Sequence, residues 1–200
     1  MICVLFFLAS TTQFNFFSTS LAAQPMQNLS AQNGWENTLQ NLLKSHGTLL
    51  SQVVEAAYYD KPIDPIKRQL LSNARDLASF FTSFLGPHAG KDFEPLFDDH
   101  IKLGGEYISA VKQHQPTDRI TQQALQNGNQ IGDLFSKWFP SIPDTQWRAM
   151  MTEHVKLEAQ LADAYFNNNL DAGHALINQT LTQLSQLGDL IIQGLKNLKQ

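Results

Sequence analysis

The chain has 200 residues, one cysteine, a formal charge of −4 and only 16 % charged side chains. That length fits one domain or a tight pair, and an acidic balance excludes a general nucleic-acid binder, which needs a basic face. A single cysteine excludes a disulfide framework or a site built from several thiolates.

Residues 1–23, MICVLFFLASTTQFNFFSTSLAA, hold no Lys, Arg, Asp or Glu. Apolar runs at 2–8 and 14–17 precede a small-residue stretch at 18–23, a pattern that reads as a secretory signal cleaved after Ala22 or Ala23. A membrane anchor is the weaker reading. Thr11, Thr12, Gln13 and Asn15 interrupt a segment that would need ~20 mostly apolar residues to span. The expected organisation is a signal peptide at 1–23, a flexible mature N-terminus at 24–34 and a helical domain at 35–200. The protein is thus expected to be exported, periplasmic or secreted, with no transmembrane segment in the mature chain. Cys3 leaves with the signal.

Beyond residue 34, Gly, Pro and Asn cluster where turns belong: 61–65, 86–90, 115–116, 140–143 and 167–169. Between them the apolar spacing predicts six helices, at 35–59, 65–85, 92–114, 118–138, 144–166 and 170–198. Asp64 before Pro65, Asp92, Thr117 with Asp118, and Asp144 supply start signals. No segment alternates with period two, so the fold class is all-α.

The odd helices share one face at one offset. Leu39, Phe93 and Trp147 correspond, as do Leu42, Leu96 and Met150; His46, His100 and His154; Leu49, Leu103 and Leu157; and Ala56, Ala110 and Ala164. Each step is 54 residues. The second and fourth helices follow the same step through Asn73 and Asn127, Leu77 and Ile131, and Phe80 and Leu134. For the sixth, a step of 50 places Leu170, His174, Ile177, Leu181 and Leu184 on the seam. The pattern reads as three tandem helical hairpins, arranged as a closed bundle or a short α-solenoid.

The stretches SHGTLLSQVVEAAYYDKPID, LLSNARDLASFF, GPHAGKDFEPLFDDHIKLGGEYISAVK and WRAMMTEHVKLEAQLADAYFNNNLDAGHALIN resemble a family of exported helical proteins common in bacilli. Its members carry paired His-containing hairpins and have no established activity; some bear enzyme names, such as acetylglutamate kinase or glycosyltransferase, that their sequences do not support. The resemblance implies an all-helical fold and export. Gly47-Thr48 departs from it, since the family tends to have a bulky aromatic after the first His.

His46, His100 and His154 fall on the apolar face, with Asn73, Asn127 and His174 expected beside them as a polar core layer. Imidazole is the commonest metal ligand, and three at one height could hold a transition metal such as zinc if their seams converge. Glu158, one turn after His154, is the candidate fourth ligand. The competing reading is a self-satisfied network, in which each Asn amide answers both nitrogens of a His. Sequence alone favours the network. His88 and His114 read as solvated turn residues, and Asp98-Asp99 as a solvated face rather than an acidic cation site. Gly104-Gly105 reads as a close helix approach, with a kink or a ligand pocket as the alternatives. No phosphate-cradling loop, nucleophile elbow or HExxH motif occurs, so no enzymatic activity is expected. The leading expectation is an exported binding or structural module for an unknown protein or small ligand. A metal- or small-ligand-binding bundle is the alternative.

Overall fold

The computed structural model describes residues 34–198. The expected signal peptide lies outside the described residues, as does the N-terminal segment up to residue 33. Over the described residues the chain is six α-helices with no strand: α1 (Gly34–Tyr58), α2 (Asp64–Leu85), α3 (Pro87–Lys112), α4 (Asp118–Trp138), α5 (Asp144–Phe166) and α6 (Leu170–Asn197). None of these helices is long and apolar enough to cross a membrane.

Four of the five connections turn on a residue with positive φ: Asp60, Gly86, His114 and Asn168. These are residue types that tolerate the left-handed region. The third helix starts earlier than its sequence predicts. Gly86, with φ 90°, reverses the chain alone, and Pro87 takes the first helical position, where its missing N–H costs nothing. The stretch expected to be a turn up to Gly90 is therefore helix. Asn169 caps α6, its side-chain oxygen accepting from the Ala172 amide at 3.2 Å.

The helices form two concentric layers. α1, α3 and α5 touch one another in the centre, and each of α2, α4 and α6 bridges two of them. α6 returns from α5 to α1, so the arrangement is a closed bundle rather than a solenoid. Consecutive helices run antiparallel, as Trp35 near the start of α1 lies 5.1 Å from Phe84 near the end of α2. The closing seam depends on Gly47, where a Cβ would come within 2.6 Å of Leu184. On the same seam Gln40 donates to the Asp189 carboxylate at 2.8 Å.

The inward face of the odd helices is the one their spacing predicts. Leu39, Phe93 and Trp147 are buried at one end of the bundle with Phe81, Phe135 and Ile191 from the outer layer. Leu50, Val54, Ile108, Leu161 and Tyr165 fill the other end. Burying two such clusters is the main favourable term for a fold without disulfides. Between them lie His46, His100 and His154, all less than 5 % exposed.

Candidate metal centre

Each histidine follows an apolar residue by one turn, so helical geometry turns all three imidazoles toward the bundle axis. The rings meet there. Their centroids are 6.0 Å apart for His46–His100 and for His46–His154, and 5.4 Å for His100–His154. Glu158, one turn along α5 from His154, closes the group. Its Oε1 lies 3.1 Å from His154 Nε2 and 3.7 Å from His46 Nε2, and its Oε2 lies 3.3 Å from His100 Nε2.

One potential ligand atom from each of these four residues lies within 4.8 Å of the others. A four-coordinate zinc ion holds nitrogens at ~2.0–2.1 Å, which puts ligand atoms about 3.3 Å apart. The donor set of three imidazoles and one carboxylate suits a first-row transition ion.

The network expected from sequence does not close. Asn73 donates to the Leu42 carbonyl at 3.0 Å, and Asn127 donates to the Leu96 carbonyl at 2.9 Å. Their side-chain oxygens have no hydrogen-bond partner among the described residues, and neither ring nitrogen of His46 has one. Glu158 Oε1, close as it is to two imidazoles, is likewise without a hydrogen bond of acceptable geometry. Buried polar atoms left without partners are costly. Of these residues, His46 and Glu158 belong to one group with His100 and His154 instead of pairing with the asparagines.

His174 is the second correction. It is exposed at the surface, with its ring edge toward Tyr165 at 6.4 Å, and takes no part in the layer. The residue in its place is Gln183, which sequence reasoning missed. Gln183 donates to the Met150 carbonyl at 3.0 Å, while its Oε1 lies 3.0 Å from His154 Nδ1. This amide is one methylene longer than those of Asn73 and Asn127, and so spans both the carbonyl and the ring. The donation to Met150 leaves the oxygen facing the imidazole, which assigns the proton to Nδ1 and turns Nε2 toward the centre. The missed signal was the register of α6. A step of 56 residues, not 50, carries Asn127 to Gln183, Ile131 to Leu187, Leu134 to Leu190 and Phe135 to Ile191, all buried. His114, Asp98 and Asp99 are exposed, as expected; His88 is exposed too, but in the first turn of α3 and not in a connection.

Burial and charge oppose each other in the cluster. Desolvation holds the His46 imidazole below its ordinary value. Burial also works against the charged form of His154, but the Glu158 carboxylate outweighs it and raises the imidazole above the usual 6.5. Burial disfavours the Glu158 anion too. The fields of His154 and His100 prevail and hold its carboxyl well below the usual carboxylate range. Glu158 is therefore an anion at neutral pH, the form that coordinates a cation.

A cavity of about 730 Å³ reaches this group from the side, between α1, α2 and α3. His46, His100 and Glu158 stand on its floor. Gly104 and Gly105 line it, and a Cβ at either would meet nothing within 4 Å. These glycines thus do not serve a close helix approach. Among known proteins, no family model, curated protein or solved structure matches this chain.

Proposed function

We propose that this protein is a metal-binding helical bundle, in which His46, His100, His154 and Glu158 hold one transition-metal ion, zinc suiting the donor set best. The observation that carries the reading is a convergence of ligand atoms that leaves His46 unsatisfied. Four potential ligand atoms surround one point within 4.8 Å of each other, while both nitrogens of the fully enclosed His46 lack partners. A cation at that point would give each lone pair an acceptor and would offset the cost of burying the layer. Gln183 would act on His154 as an orienting partner, as carbonyl oxygens commonly do behind ligating imidazoles.

The export expected from residues 1–23 belongs to the same reading. Nitrogen and oxygen ligands need no reducing compartment, unlike thiolates. The bundle then serves as an exported binding module whose recognition element is the ion, with a protein or small ligand as partner.

The test is elemental analysis of protein purified without chelator, alongside His100→Ala and His154→Ala. One equivalent of metal per chain is expected in the parent, and its loss in both variants. Metal-free parent protein that refuses added Zn²⁺, or uptake indifferent to both substitutions, would return the layer to a purely structural role.

A further inference from the structure

The opening beside the cluster has a specific origin. One turn after each layer histidine, the three central helices carry Leu50, Gly104 and Glu158, spaced by the same 54 residues. Leucine fills its place, glutamate supplies a ligand, and glycine leaves a gap. The 730 Å³ cavity includes that gap, and Gly104 also lines a smaller cavity of about 210 Å³ on the other side of α3. A volume of 730 Å³ lies within the ~300–1,000 Å³ range of small-molecule sites.

The walls are apolar: Leu50, Val53, Ala57, Leu70, Ile101 and Ile108 line the space. Four lysines and four acidic residues share its opening, so the opening selects no charge of its own. Selection falls to the floor. A divalent ion with three neutral imidazoles and one carboxylate retains a net charge of +1, and in apolar surroundings that charge is best neutralised by one anionic donor. His46, His100 and Glu158 line the cavity, whereas His154 does not. A further ligand would approach the ion through that face, and zinc sites expand to five-coordination.

We propose that the cavity binds an apolar monocarboxylate, its head group on the metal and its hydrocarbon body between α1, α2 and α3. The inference rests on the metal-binding reading and adds the class of ligand. Gly104 is the residue that keeps the passage open.

The experiment uses the full chain loaded with Co²⁺, whose visible spectrum reports coordination number, titrated with octanoate, acetate and octanol. Octanoate is expected to weaken the tetrahedral absorption as a fifth donor binds. Acetate should bind at least about a hundredfold more weakly, since each buried methylene contributes a factor of about four. Octanol should leave the spectrum unchanged. Gly104→Leu, which copies Leu50, should retain one equivalent of Co²⁺ while losing at least about tenfold in octanoate affinity; Gly105→Phe tests the same space if the first variant does not fold. Full Co²⁺ loading with no response to octanoate overturns the carboxylate site and leaves the metal centre standing. Octanol competing as well as octanoate, or cavity-filling variants that bind octanoate normally, also overturns it. Failure to take up Co²⁺ overturns both readings.

Discussion

At the scale of single residues, the difference between Gln and Asn decides how each imidazole is held. Gln183 reaches both a carbonyl and His154 Nδ1, whereas Asn73 and Asn127 reach only carbonyls. Gln183→Met removes this support and keeps the volume. Its expected effect is a ~10–100-fold loss of Zn²⁺ affinity at unchanged stoichiometry, the usual cost of losing an outer partner, read by competition with a chromophoric chelator. Glu158 governs the protonation of the same ring. In metal-free protein, NMR titration should place the His154 transition above the ordinary 6.5 and that of His46 below it. With Glu158→Gln, burial acts on His154 without an opposing anion, and its transition should move below 6.5. A His154 transition unmoved by that substitution would remove Glu158 as its partner.

At the scale of helices, two glycines with different surroundings give opposite predictions. Gly104 sits in the interior of α3 with open space where a Cβ would go. Gly104→Ala should therefore stabilise the protein by up to about 1 kcal/mol, the helix-propensity difference. Gly132 in α4 packs against α5, where a Cβ would lie 3.2 Å from backbone atoms of both Trp147 and Arg148. Main chain cannot step aside as a side chain can. Gly132→Ala should destabilise by about 1 kcal/mol net, overpacking of ~1–3 kcal/mol outweighing the same propensity gain. Urea melts of the two variants check the signs, and equal signs would contradict the packing described. Helix register was legible only in part. The apolar face of α1 through α5 could be read from sequence, but α6 is apolar over enough of its surface to accept a step of 50 or of 56. Choosing between them requires the amide of Gln183 to find its carbonyl.

For the whole molecule, closing the ring couples the polar layer to stability. His46 is held below 6.5 when folded, so its contribution is present above that value and lost as pH falls through its folded pKa. Glu158, held well below 4.5, adds a second loss in stronger acid. His154 has the opposite sign: raised above 6.5, it contributes fully below that value, and the contribution fades as pH rises through its folded pKa. Thermal melts of chelator-treated protein should therefore show a maximum between the folded pKa of His46 and that of His154, with stability falling on either side. Coordinating nitrogens must shed their protons, so Zn²⁺ should move the maximum to higher pH. At a free-ion concentration one hundred times Kd it should add about 2.7 kcal/mol. A metal-free profile flat from about pH 5 to pH 8 would contradict burial of the layer.

The sequence by itself determined the helices, their inward faces and the height shared by His46, His100 and His154, because a 3.6-residue period is a local property that apolar spacing records directly. Their burial follows from that face. Tertiary structure decided what spacing cannot: that α6 returns to α1, that the imidazoles meet around Glu158, that His174 stays outside, and that Gly104 opens a cavity beside the cluster. These depend on angles between helices and on differences of one methylene. Such distances exist only once separate helices are packed.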